Sequence, residues 1–325
     1  MEGVMMQGPD LVAIAVKRGD GKVVLRTKPR RLLAKKYPYL GWPVLRGVVN
    51  FVVMLSDGMK TITESAEMAG LEAEEPSAFE KKLAGWLRMK PDDVMMLFAV
   101  ILAVVLAIGM FFVLPIGLEA LLRRVTSNRL TLNIVGGVLR IIVFLAYVLA
   151  VSRIKEIKRV FQYHGAEHKA VFCFERGDEL TMENACKNST LHPRCGTSFL
   201  VIVMVISIFI FMVLGTNSSN VFARILSRLA LLPLVAGLSY EALRWLGRAE
   251  DNVLVRALKW PGLMTQKLTT AEPDDSMVEV ALISLKAALG MPDALPPELD
   301  PKRAVPETPA ADDGSGPIET EAGDT

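Results

Sequence analysis

The sequence predicts a predominantly α-helical, polytopic membrane protein of about four transmembrane helices, with a small N-terminal β-hairpin unit and a cytoplasmic metal-binding loop. Three observations carry that expectation. Apolar runs recur at about the length that a hydrocarbon core requires, the clearest of them, Val94 to Leu114, without a charge. The chain is 51% hydrophobic with a mean hydropathy of +0.36, too apolar for an ordinary soluble enzyme. All three histidines and all three cysteines fall in one polar stretch, Arg153 to Phe199, with an apolar run on either side.

The elements follow in order. Within residues 1–36, Leu11 to Lys17 and Lys22 to Thr27 are β-branched runs joined by Arg18-Gly19-Asp20-Gly21, and Asp-Gly between such runs signals a hairpin. Residues 37–93 read as interfacial or amphipathic helices. Tyr37 to Gly70 holds an apolar stretch too short to span, Glu72 to Pro76 is an acidic loop, and Ser77 to Met89 is an amphipathic helix with Trp86 suited to the headgroup layer. Residues 94–151 form the first transmembrane pair. Val94 to Leu114 carries no charge and is expected to end at Pro115 and Gly117; Leu132 to Val151 follows, with Arg140 inside it. An arginine at mid-membrane costs about 3 kcal/mol, so Arg140 is expected either to meet an anion or to snorkel or sit in the bundle beside Glu119.

Residues 152–197 are the His/Cys loop. Residues 198–243 form the second pair, Ser198 to Leu214 and Leu226 to Leu243, separated by the uncharged turn Gly215 to Asn220. Residues 244–290 read as juxtamembrane helices, with Trp245 and Trp260 as belt residues and Ser276-x-x-Glu279 as a capping box for a helix ending near Gly290. Residues 291–325, acidic and proline-rich, are expected to be disordered.

Charge orients the whole. The net charge is only +2, but Lys and Arg crowd the 153–194 and 244–267 segments while the Gly215 turn has none. The positive-inside rule then places the His/Cys loop and both termini in the cytoplasm of a bacterial plasma (inner) membrane; Arg123, Arg124 and Arg129 argue weakly the other way. Membrane lipids are the expected partners, and no basic patch interleaved with aromatics supports nucleic acid. The start, MEGVMMQGPD, has no signal-peptide pattern, and three cysteines fit reduced thiols better than a disulfide framework.

The chemistry lies in the loop. On a helix running on from the second span, His164 and His168 project from one face, and His-Gly-Ala-Glu-His matches the H-x-x-E-H order of inverted zinc peptidases. There the histidines hold the metal and the carboxylate, here Glu167, acts as base. Gly165 is a poor helix former and stands against the match. His192 and Cys195, in the turn-like string His192-Pro193-Arg194-Cys195, are the further candidate ligands. Three ligands would leave a catalytic position open, whereas all four would close a structural site. Arg194 is a candidate anion contact, and Glu175, Asp178, Glu179 and Glu183 are candidate carboxylates to orient the imidazoles. Cys173 and Cys186 read as small buried hydrophobes, and Glu241 as either a site residue or a capping or bundle residue.

Tyr163 to Lys169, Glu179-Leu180-Thr181, Glu183-Asn184 and His192 to Phe199 together resemble a bacterial family of membrane proteins of unknown function, the YqhQ-like family (domain of unknown function 1385). The likeness extends to Glu2 to Met6 with Gly8-Pro9, and to Lys267 to Thr270 with Glu272 to Asp275. It implies a multi-pass protein described as metal-dependent, with no substrate. Relatives carry a Gly-Gly-Gln-Ala-rich lead where Met1 stands here, so a late start or a missing short strand is expected. Two functions follow: a metal-dependent hydrolase at the inner membrane face, with zinc the expected divalent metal, or a scaffold or assembly factor whose loop is stapled by metal. A transporter using Arg140 is weaker, since the paired broken helices of such folds are missing.

Overall fold

The computed structural model describes residues 2–30, 37–70, 91–122, 128–214, 220–250 and 252–291, together with 124 and 126. The expected acidic loop at 72–76, the helix at 77–89, most of the Gly215 turn and nearly all of the acidic tail lie outside them.

Four helices are long and apolar enough to cross a membrane. The first is α2 (Pro91–Ile108), continued through a π-turn (Gly109–Val113) into α3 (Leu114–Leu122). The others are α4 (Arg129–Val151), α7 (Gly196–Val213) and α8 (Val221–Arg248). The expected stop at Pro115 is corrected, because the helix runs on to Leu122. Proline lacks an N–H and its ring crowds the carbonyl four residues back, and the widened turn just before Pro115 accommodates both without breaking the helix.

The N-terminal unit has three strands, not two. β1 (Gly3–Gln7), β2 (Leu11–Lys17) and β3 (Val23–Pro29) form an antiparallel sheet in the order β1-β2-β3, with Gly21 at φ 83° in the expected hairpin turn. Strand β1 begins one residue after Glu2, so the string abutting Met1 is already sheet. One face packs on α5 (Lys155–Glu175), α6 (Met182–Cys186) and α10 (Asp275–Ala288). The other carries Ile14 and Val16 against Met68, at the end of α1 (Leu45–Met68). A sheet covered on both sides explains why β2 reads as the continuous apolar run Val12 to Val16. The start, middle and end of the described chain thus share one core, built apart from the four membrane-length helices. Ten of the 14 residues of α10 are buried in it, and Ser284 Oγ bonds to the carbonyls of Val4 and Ala13.

Two further expectations are corrected. The His-bearing helix α5 does not continue the second span, since the chain breaks at Ser152–Ile154 and restarts at Lys155. Helix α10 is capped by Asp274, whose carboxylate accepts from the Met277 N–H, and not by a Ser276/Glu279 box; the Ser276 hydroxyl instead donates to Asp274.

The stretch 37–70 forms the 24-residue helix α1, entered through a strained turn in which the Leu45 N–H bonds to the Pro43 carbonyl and Val44 takes φ 68°. Helix α1 lies against α8. Gly47 and Gly237 permit the approach, because a Cβ on Gly237 would sit 2.6 Å from the Val44 carbonyl oxygen. Arg46 and the Val44 N–H both bind Glu241, so Glu241 joins two helices and lies away from the histidines' hydrogen bonds. Helix α9 (Val253–Thr269) buries Val255, Gly262, Thr265 and Gln266 while exposing Leu254, Leu258 and Trp260; Trp245 is exposed as well.

Candidate metal centre

Helix α5 presents His164 and His168 one turn apart, their rings 4.4 Å between centroids. Each ring places Nδ1 against a backbone carbonyl: His164 on Thr269 at 2.8 Å, His168 on Thr190. A carbonyl only accepts, so each Nδ1 carries the proton and each Nε2 keeps its lone pair. The Nε2 of His164 lies 3.1 Å from Cys195 Sγ, and one ligand atom from each of His164, His168 and Cys195 falls within 4.8 Å of the other two. Two oriented imidazoles and a thiol, with His168 and Cys195 buried, make a donor set suited to a borderline-soft divalent ion.

The Thr269 carbonyl arrives because the chain leaving α9 runs along α5. The Ala271 N–H bonds to the Phe161 carbonyl, Gln162 donates to the Glu272 carbonyl, and Lys169 pairs with the Glu272 carboxylate at 2.7 Å. Gly165 makes this possible. A Cβ there would meet the Ala271 oxygen at 2.3 Å, so the poor helix former in His-Gly-Ala-Glu-His is what lets the second segment reach His164.

Cys195 caps α7 and accepts from the Thr197 N–H. Burial pushes its thiol up, but the His168 imidazole and the Thr197 hydrogen bonds outweigh this and hold it below the ordinary cysteine value. A thiolate at a helix N-terminus is further favoured by the helix dipole. Glu167 is half-buried; burial raises its carboxyl, and His164 draws it partly back.

His192 is placed differently. Its Nε2 donates to Glu175 at 3.2 Å and its Nδ1 accepts from the Arg194 N–H, so both nitrogens are engaged. Burial holds this imidazole below its usual pKa despite Glu175. Between the two open candidates the geometry brings Cys195, not His192, into the three-residue group. Arg194 pairs with Glu175 at 3.0 Å and its side chain is 59% exposed. Of the four acids, only Glu175 bonds a histidine, and it is His192; backbone carbonyls orient the other two. Glu183 pairs with Lys187, and the Glu179 carbonyl accepts from the buried Cys173 thiol. Cys186 packs partly buried against the core.

Gln266 went unread in the sequence. It is fully buried on α9, accepts from the His192 N–H and donates to the His192 carbonyl and the Ser198 hydroxyl, pinning the turn that carries Cys195. Its signal was faint: Thr265, Gln266 and Thr269 are polar residues on the face that α9 buries.

Four membrane-length helices, a small three-stranded sheet packed on further helices, and a group of two histidines and a cysteine define a predominantly helical class. The family model described as "Protein of unknown function (DUF1385)" matches residues 42–291, and the chain belongs to that family. It is 32% identical over 293 residues to "Uncharacterized protein YqhQ" of Bacillus subtilis (strain 168), covering 89% of this chain and 90% of that one. No solved structure matches it.

Proposed function

We propose that the protein is a metal-dependent hydrolase at the cytoplasmic face of the bacterial plasma membrane, with His164, His168 and Cys195 as ligands of a zinc ion. One observation carries this reading: both imidazoles are fixed through Nδ1 by backbone carbonyls, leaving two Nε2 lone pairs beside a thiol of lowered pKa. Three ligands leave a fourth position for water or substrate. A divalent metal held there supplies Lewis acidity and makes hydroxide available near neutral pH.

Glu167, adjacent to His168 and half-buried, is the base that takes the proton from attacking water. Arg194, tethered by Glu175, contacts an anionic part of the substrate. The exposed apolar residues Leu254, Leu258 and Trp260 of α9 sit in the lipid interface and keep the pocket at membrane level.

Metal analysis of the purified chain tests the ligands. The wild type is expected to hold about one equivalent, His164→Ala and Cys195→Ser to lose it, and His192→Ala to keep it; unchanged metal in the first two overturns the site. Glu167→Gln then tests the chemistry in a deletion strain. Metal retained with function lost supports the hydrolase. Metal and function both retained favours a metal-stapled scaffold or assembly factor, a reading consistent with ligands that tie α5 to the start of α7.

A further inference from the structure

A second charged cluster lies at the opposite end of the helices from the His/Cys group. Glu119 of α3, 1% exposed, accepts from Arg224 Nη1 and Arg228 Nη2 of α8, each at 3.1 Å. Arg140 of α4 sits beside them, its guanidinium 5.3 Å from the centroid of the Phe211 ring that Arg228 also faces at 5.7 Å. Arg140 is 8% exposed and Arg224 2%. Glu119 is the sole acidic residue of the sequence between Val94 and Val151, and none occurs between Gly196 and Tyr240. Among the described residues, Glu119 is thus the carboxylate that Arg224 and Arg228 bond, and Arg140 is buried beside the pair. Helical side chains lean toward the N-terminus of their helix. That lean carries Arg140, Arg224 and Arg228 outward toward this end and Glu119 inward to meet them.

The charge excess has a specific shape. The buried nitrogens of Arg140 without a hydrogen-bond partner are Nε and Nη2, and Nε of Arg224 is likewise without one. Nε and Nη2 form one edge of the guanidinium, the fork that grips two oxygens of an oxyanion side by side. The same edge of Arg46 is filled here by the two oxygens of Glu241. On Arg140 that edge is buried and unmatched.

We propose that Arg140, Arg224 and Arg228 form an anion site that takes a phosphate group, at the end of the helices opposite the His/Cys pocket. The unmatched edge of Arg140 and the Nε of Arg224 together suit a phosphate better than a carboxylate. Its tetrahedral oxygens can satisfy the Arg140 fork and still reach the Nε of Arg224, whereas a planar carboxylate spends both oxygens on the fork. The phosphate comes either from water, as a free or small-molecule phosphate, or from a phospholipid headgroup. The site does not depend on metal.

The experiment uses the purified full chain in a mild detergent, wild type against Arg140→Lys, which keeps the charge and removes the fork. Native mass spectrometry with added phosphatidylglycerol reads headgroup binding, and thermal stability against inorganic phosphate, with chloride at equal ionic strength as control, reads the aqueous source. Retention of one phospholipid by wild type, or a phosphate-specific rise in Tm, falling about tenfold in apparent affinity in Arg140→Lys, supports the site and tells which source fills it. Neither ligand bound by wild type, or equal binding by Arg140→Lys, overturns it. The Tm of Arg140→Lys without added ligand and its elution volume in detergent are measured alongside and are expected to match wild type, showing that the variant folds.

Discussion

Gly165 shows how a single missing methyl group decides the candidate centre. By propensity alone, Gly165→Ala should stabilise α5 by roughly 1 kcal/mol. The new Cβ would lie 2.3 Å from the Ala271 oxygen, and overpacking of that kind costs about 1–3 kcal/mol. The expected outcome is a lower Tm and lost metal, because the carbonyl on His164 Nδ1 moves away with the 269–272 segment. A Gly165→Ala protein that melts higher and keeps its metal would refute the packing argument. Gln266→Leu probes the other side of the pocket. It strands a buried N–H, a carbonyl and a hydroxyl at His192 and Ser198, and should lower stability by about 3 kcal/mol, read as a denaturation shift in detergent. The histidines and cysteines were legible in the sequence because they are rare and clustered. Gln266 was not, because an amide on a helix declares nothing until its neighbours are known.

Among the elements, α10 carries the clearest local energetics. Asp274→Ala removes its N-cap and should cost about 1 kcal/mol. The hydrogen bond from Ser276, with that from Met277, holds the Asp274 carboxyl below its usual 3.8. A depressed acid stabilises the fold above the unfolded value and loses that contribution as pH falls through 3.8 and below. The Tm gap between wild type and Asp274→Ala should therefore be constant near neutrality and close in acid; a gap that widens in acid would contradict the assignment. Removing α10 altogether exposes the sheet face that its ten buried residues cover, and should release the metal although no ligand is deleted. Helix existence was readable from hydropathy and periodicity, but helix ends were not. Pro115 looked like a stop and lies inside a helix, Ser276 looked like a cap and serves Asp274, and α8 extends beyond its apolar centre to include Arg224.

Over the whole molecule, reporters fused after Met291 and inserted at Thr126 should report opposite sides of the membrane, with Met291 cytoplasmic, since four crossings return the chain to its starting side. Identical readings at both positions would contradict four spans. The arginines of the far end bear on this orientation: Arg224 and Arg228 are held on Glu119 inside the protein and add nothing to the loop charge that the positive-inside rule counts.

Composition and local pattern by themselves determined the four membrane-length helices, the hairpin turn at Gly21 and the stretch that holds the histidines and cysteines, because each depends on neighbours within about 20 residues, while motifs spread along the chain carried the resemblance to the family. The tertiary structure alone decided that Cys195 joins the imidazoles while His192 turns to Glu175, that the first strand and last helix share a core, and that Arg224 and Arg228 meet on Glu119 beside Arg140. These depend on burial and hydrogen bonding between segments as far apart as Val4 and Ser284, and no periodicity along the chain records which distant groups will lose their water together.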